Sequence, residues 1–210
     1  MKTITQDLMK HKLVAIIRGT GREEGYPTAS AMIRGGFRFL EVTLNTEGAM
    51  TVIEEVNDVH GGDVYVGAGT VMNRNMAEDA VSAGARFLVS PHFDHDVMAF
   101  AYEAEIPYWP GSLTPTEIIS AFESGADVVK VFPAGVMGSD YLKALSGPFP
   151  DIPLMVTGGV HPGNIRNYFE AGATAAGIGG DLCHLPSIRA GQYESIEAKA
   201  KTYVNAMKER

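Results

Sequence analysis

The chain has 210 residues, enough for one domain with a large core. It is 45% hydrophobic and 20% charged, with a formal net charge of −8 and no dense basic run. That balance argues against nucleic acid or an anionic membrane as partner, while a small anion could still be held by backbone amides and a local cation.

The opening stretch, MKTITQDLMKHKLVAIIRG, is polar before a short apolar run. It lacks the long apolar core of a secretory signal, and no segment approaches membrane-spanning length, so a cytoplasmic protein is expected. Apolar, β-branched runs then recur: LVAIIR (13–18), FLEVTL (39–44), VYVGAGT (64–70), FLVSP (87–91), YWPGS (108–112), VVKVFPA (128–134), LMVTGG (154–159) and AAGIGG (175–180). Between them lie segments of helical character, among them YPTASAMIRG, EGAMTVIEEVND, MAEDAVSAG, DHDVMAFAYEAE, TPTEIISAFESG and PGNIRNYFEAG. The final stretch, SIEAKAKTYVNAMKER, reads as an amphipathic closing helix with basic residues near its end.

This is strand–helix alternation repeated eight times, with no composition break to mark a second domain. The stretches IRGGFRFLEV, VSAGARFLVS, FESGADVVKV and FEAGATAAGI echo one another: a helix end, a glycine and a following strand. The aligned glycines, Gly36, Gly84, Gly125 and Gly172, are spaced by 48, 41 and 47 residues, and each can supply a left-handed helix cap. The predicted architecture is α/β, a single-domain (β/α)8 TIM barrel over residues 1–210. A doubly wound open sheet is the structural alternative. It would want a dinucleotide fingerprint near the start, and none is present; GAGT (67–70) is too short for a nucleotide motif.

A barrel of this kind carries its chemistry at the C-terminal ends of the strands. The polar residues there are Arg18, Glu41, Asn45, Thr70, Ser90, Ser112, Lys130 and Thr157, followed by Gly158, Gly159, Gly179, Gly180 and Asp181. Lys130 stands inside the apolar run VVKVF. It either points out of the sheet or snorkels to water, or it is a desolvated amine able to attack a carbonyl and form a Schiff base. Glu41, inside FLEVTL, is either half of an ion pair with Lys130 or Arg18, or a base beside a nucleophile. Two glycine pairs after strands 7 and 8 suit a phosphate site. Asp181 opposes an anion there unless it turns away, for example to cap the short helix that follows.

Other features have plainer readings. SPHFDHDV holds His92, Asp94, His95 and Asp96, but the spacing fits no standard zinc pattern; Asp94 reads as a helix cap and no metal is expected. His161 precedes Pro162 in VHPGN, which reads as a helix start. Trp109 reads as core packing. Cys183 is the one cysteine, which excludes an intrachain disulfide and fits a reducing compartment; it reads as packed rather than reactive.

EVTLNT (41–46), GAGTV (67–71), VSP (89–91), PG (110–111), VVKVFPA (128–134), TGGVHPGN (157–164) and GIGG (177–180) occur in order at fitting intervals. With these motifs the chain resembles the 2-keto-3-deoxy-6-phosphogluconate (KDPG) aldolase family, which includes 4-hydroxy-2-oxoglutarate (KHG) aldolase, from about Leu13 to about Leu182. The resemblance implies that Lys130 is the Schiff-base lysine and Glu41 the general acid–base. It implies that Thr70, Pro91 and Phe132 line the pyruvate end of the pocket, and that Arg18 contacts an anionic part of the substrate. Asn45 and Thr157 join the substrate-binding set, while Gly158, Gly159, Gly179 and Gly180 form a phosphate cradle. It further implies a homotrimer acting on a small keto acid, with no cofactor and no metal. The expected reaction is cleavage of KDPG, and of KHG, to pyruvate and an aldehyde such as glyceraldehyde 3-phosphate. Gluconate-type members often carry arginine where this chain has Asn45, and serine where it has Asp181. The 2-keto-3-deoxy-6-phosphogalactonate (KDPGal) aldolases are more similar at both points and supply the alternative substrate. Two other functions are compatible with the fold: a phosphosugar isomerase or epimerase, which does not need an amine at Lys130, and a non-catalytic sugar-acid-binding barrel, in which Lys130 and Glu41 are a structural pair.

Overall fold

Nine short strand segments pair in parallel into one sheet in the computed structural model, which describes residues 2–207. They are β1 Leu13–Ile17, β2 Phe39–Thr43, β3 Tyr65–Gly69, β4 Leu88–Val89, β5 Tyr108–Trp109, β6 Gly111–Ser112, β7 Val129–Val131, β8 Leu154–Thr157 and β9 Ala175–Ile178. The order is β5-β4-β3-β2-β1-β9-β8-β7-β6, so the two edges are β5 and β6. Those edges are consecutive in the chain, separated only by Pro110. Proline has no N–H and interrupts the ladder, yet its carbonyl accepts from the Lys130 N–H at 2.9 Å. The expected strand 108–112 is therefore one barrel strand broken at Pro110, and through it the sheet closes as a (β/α)8 barrel. Each expected apolar run contains an observed strand, but in all except 108–112 the strand stops short of the run's C-terminal end. Those last residues leave the sheet to build the mouth.

Side-chain alternation fixes which residues face the barrel axis. Leu13, Ala15, Ile17, Leu40, Val42, Val129, Val131, Leu154 and Val156 form the core between strands and helices. Val14, Phe39, Phe87, Val89, Trp109, Val128, Met155 and Ala175 form a separate cluster inside the barrel. Register sets Glu41 beside Ile16 on one strand and Gly67 on the other, and sets Lys130 between Gly111 and Met155.

The strands are wrapped by α2 (Arg22–Arg34), α3 (Ala49–His60), α4 (Arg74–Ser82), α5 (His95–Glu103), α6 (Pro115–Glu123), α7 (Ala134–Ser146) and α8 (Ile165–Glu170), then by the short α9 (Leu185–Arg189) and α10 (Tyr193–Ala206). Gly36, Gly84, Gly125 and Gly172 all have positive φ, between 92° and 109°, as left-handed caps require. Asp94 caps α5, accepting from the Val97 N–H at 2.9 Å. The helix start expected at Pro162 is corrected: residues 162–164 form a turn and α8 begins at Ile165. The closing helix is α10; Lys208 and Arg210, the basic residues expected at its end, lie outside the described residues.

One helix was not foreseen. The first, α1 (Lys2–His11), precedes β1 and covers the N-terminal end of the barrel. Its Leu8 is fully buried in the interior cluster, with Ile4 and Met9 packed against it. Only these few apolar residues mark it in sequence, and its helical character matters because they close the barrel floor. Among the described residues no helix is long and apolar enough to cross a membrane.

Candidate active site

The upper half of the barrel interior is built from the inward positions of the same strands. Val128, Lys130 and Phe132 alternate toward the axis on β7 and its exit, as do Phe39 and Glu41 on β2. Lys130 therefore points into the barrel, not out to solvent: its side chain is 3% exposed and that of Glu41 is 0% exposed. Lys130 Nζ lies 3.8 Å from Glu41 Oε1 and 5.3 Å from the centre of the Phe132 ring. Burial pushes the Lys130 amine below the ordinary lysine value; the Glu41 carboxylate works against that shift, and the Arg18 charge adds to it. An amine so placed is more easily neutral, hence more nucleophilic, than a lysine in water.

Glu41 has room for its carboxylate because β3 ends in glycine. A methyl group at Gly69 would overlap Glu41 Oε1 and lie 2.5 Å from its Cγ. Neither Glu41 oxygen accepts a hydrogen bond from the described residues, and the same holds for the buried Thr157 Oγ1. Buried polar atoms are normally partnered; of these, Thr157 lines the cavity at the barrel mouth, while Glu41 faces the Lys130 amine.

Lys130 and Thr157 line a cavity of about 640 Å3 together with Ile16, Arg18, Phe132, Cys183 and the two glycine pairs. Gly158 and Gly159 have φ of 87° and 77°, which glycine adopts readily. They also abut the start of α7: the Gly135 N–H donates to the Gly158 carbonyl at 2.7 Å. The Phe132–Pro133 peptide leading into that helix is cis. A second cavity of about 370 Å3 is lined by Pro91, Gly111, Ser112 and Glu117, and Phe132 borders both.

Arg18 is exposed and donates from Nη2 to Thr70 Oγ1 at 3.4 Å. Thr70 itself has φ of 57°, a left-handed conformation that a β-branched residue adopts only under strain. Ser90 turns away from ligand space: its hydroxyl pairs with that of Tyr108 at 2.6 Å and also donates to the His92 carbonyl. Burial pushes the Tyr108 hydroxyl up to about 12, which keeps it protonated. Cys183 is buried, with its thiol pushed up by burial and its Sγ–H directed at the Arg18 carbonyl. Asn45 is exposed on the turn after β2. Thus Lys130, Arg18, Phe132, Thr157 and the four glycines line one cavity; Glu41 lies behind Lys130 and Thr70 beside Arg18 without lining it, Pro91 borders the adjoining cavity, and Asn45 stands on the outer turn.

Asp181 does not cap the short helix, whose N-cap is His184. Its carboxylate is instead engaged by α10. Oδ1 accepts from Lys199 Nζ at 2.9 Å and Oδ2 from the Tyr203 hydroxyl at 2.6 Å. Partial burial alone would raise this acid; Tyr203 and Lys199 outweigh it and hold the carboxyl below its ordinary value. Sequence reasoning missed Lys199 and Tyr203, and also Gly69. The i, i+4 spacing of Lys199 and Tyr203 on one helix face was the available signal.

The family model for KDPG and KHG aldolase matches residues 4–199. The 2-dehydro-3-deoxy-6-phosphogalactonate aldolase of Escherichia coli (strain K12) is 34% identical over 202 residues, covering 95% of this chain and 96% of that protein. The 2-dehydro-3-deoxy-phosphogluconate aldolase of Treponema pallidum (strain Nichols) is 35% identical over 199 residues, 94% of each. Among solved structures, a KDPG aldolase from Legionella pneumophila, with pyruvate captured as a covalent carbinolamine, superposes with a TM-score of 0.85. It is 29% identical and covers 96% of this chain and 98% of that one.

Proposed function

The chain belongs to the KDPG and KHG aldolase family, whose members named above are carbon–carbon lyases, and from that premise we propose that it cleaves a 2-keto-3-deoxy sugar acid through a Schiff base on Lys130. The observation that carries this reading is a desolvated amine 3.8 Å from a buried carboxylate at the mouth of the barrel. The pyruvate carbinolamine of the Legionella protein supports the same chemistry.

In the proposed reaction the neutral Lys130 amine adds to the C2 ketone to give a carbinolamine. Loss of water leaves an iminium, which is an electron sink. Glu41 takes the proton of the C4 hydroxyl; the C3–C4 bond breaks, its electron pair flows into the iminium, and the aldehyde leaves. The remaining enamine is protonated at C3 and the resulting iminium is hydrolysed to pyruvate and free Lys130. Arg18, whose charge reaches Lys130, would take the C1 carboxylate with Thr70 beside it. Thr157 would meet a substrate hydroxyl, and the glycine amides a terminal phosphate.

KDPG is the substrate proposed first, with KHG as a second, smaller one; the KDPG products would be pyruvate and glyceraldehyde 3-phosphate. KDPGal is the second reading, supported by Asn45 and Asp181 and by the similarity to the Escherichia coli protein. A homotrimer that needs no metal, in the cytoplasm, completes the reading on family resemblance.

The test is intact-protein mass spectrometry after pyruvate and borohydride, followed by peptide mapping. A stable adduct on the Lys130 peptide, absent in Lys130→Met, is expected. An unmodified protein at every lysine would sink the mechanism and bring forward the isomerase or binding-barrel readings.

A further inference from the structure

The glycine-lined end of the cavity carries a contradiction. It suits an anion, yet Asp181 follows Gly180 directly and lines the same cavity. A bare carboxylate there would repel a phosphate.

The structure resolves the contradiction from the last helix. Lys199 grips Asp181 twice, donating to its carboxylate at 2.9 Å and to its backbone carbonyl at 2.8 Å. The Tyr203 hydroxyl takes the other carboxylate oxygen at 2.6 Å. Tyr203 is fully buried, so its hydroxyl is held in place by packing. Both oxygens of Asp181 are thus occupied by donors outside the cavity, and an ammonium sits within ion-pair distance of its charge. Charge-assisted hydrogen bonds of this kind are stronger and more directional than neutral ones. The double grip also fixes the backbone just after Gly179 and Gly180, whose approach to a ligand depends on loop position.

We propose that Lys199 and Tyr203 are positioning residues for the phosphate end of the site: by binding Asp181 they cancel its repulsion and hold the glycine loop open to an anion. This rests on the aldolase reading above. A merely structural tie between α10 and the barrel would weaken folding without regard to the substrate's phosphate. The positioning role predicts a phosphate-selective defect, relieved when Asp181 loses its charge.

The experiment compares KM and kcat for KDPG and for phosphate-free KHG in the wild type, Lys199→Met, Tyr203→Phe and the double variant Lys199→Met/Asp181→Asn. Pyruvate–borohydride trapping is run on each as a control without phosphate. Lys199→Met is expected to raise KM for KDPG about tenfold, with kcat and the KHG constants within about twofold. Tyr203→Phe, which removes only a hydroxyl, should raise KM for KDPG about threefold. Adding Asp181→Asn to Lys199→Met should bring KM for KDPG back to within about threefold of wild type. The proposal is overturned if Lys199→Met leaves KM for KDPG unchanged, if it impairs both substrates alike, or if Asp181→Asn gives no rescue. Any of these alongside a normal Lys130 adduct overturns the positioning role alone. Failure of the wild type to trap pyruvate overturns the aldolase reading, and this inference with it.

Discussion

Gly69→Ala is a direct probe of whether the Glu41 carboxylate must stand where it does. Gly69 ends β3, and its φ lies outside the left-handed region, so alanine can adopt its backbone. The difficulty is space: the new methyl would overlap Glu41 Oε1 and lie 2.5 Å from Cγ and 2.6 Å from Cδ. Carbon atoms in ordinary contact are about 3.5–4.0 Å apart, so the side chain must retreat by about 1 Å. Overpacking of this sort costs about 1–3 kcal/mol, which at this chain length lowers the melting temperature by about 2–4 °C per kcal/mol. The kinetic cost is larger, because a misplacement of about 1 Å in a reacting group can cost about 100-fold. Pyruvate release from KDPG, followed with a coupled assay, should therefore show kcat/KM down about 100-fold. The Lys130 adduct should still form, since the amine is untouched. A Gly69→Ala enzyme with wild-type kcat/KM would refute the reasoning, whether by showing that Glu41 is not the base or that its position is not constrained.

Two further outcomes follow from the electrostatics and backbone of the site. Glu41 raises the Lys130 amine and Arg18 lowers it, against a larger lowering from burial. The neutral amine gains as pH rises through the folded-state value, so the rate of pyruvate trapping should climb along an acid limb. Glu41→Gln should move that limb to lower pH and Arg18→Ala to higher pH; shifts in the same direction would count against the arrangement. Thr70→Gly relieves a left-handed conformation that costs a side-chain-bearing residue about 1–2 kcal/mol. It should raise the melting temperature in a thermal scan while raising KM for the keto acid about threefold, through loss of the Arg18 contact.

Much of this site could be read from sequence because its main signal is a violation of pattern. Lys130 and Glu41 break apolar runs, and a period of two then aims both at the barrel axis. The helix-capping glycines gave the repeat, and the repeat gave the fold. Less visible were features that depend on distant partners. The Pro110 break is written in the sequence, but whether a proline ends a strand or only interrupts its ladder depends on which carbonyls the neighbours need. The first helix carries only a few buried apolar residues, and its value lies in what it covers. The fate of Asp181 was undecidable locally: a carboxylate after a glycine pair can cap the next helix or reach another, and Lys199 and Tyr203 lie 18 and 22 residues away. Gly69 gave no signal of its own, because a glycine that makes room for a neighbour across the sheet looks like any strand-ending glycine.

The setting of the Lys130 amine depends on how unevenly the barrel interior is filled. Its lower half is aromatic: Phe87 stacks on Trp109 at 4.4 Å, Phe39 on Tyr65 at 4.8 Å, and Leu8 of the first helix joins the same cluster. One inward step higher the character changes on strand after strand. Phe39 gives way to Glu41, Tyr65 to Gly67 and then Gly69, Val128 to Lys130, Met155 to Thr157, and Ala175 to Gly177. A barrel packed with branched residues to the top would have no place for a substrate, and one left open through its length would hydrate the amine from below. The apolar floor closes the barrel beneath Lys130, while the small residues above it leave the cavity that the amine lines, the space the proposed ketone would need. Burial and access, which oppose each other in a uniform core, are thereby assigned to different heights of the same eight strands.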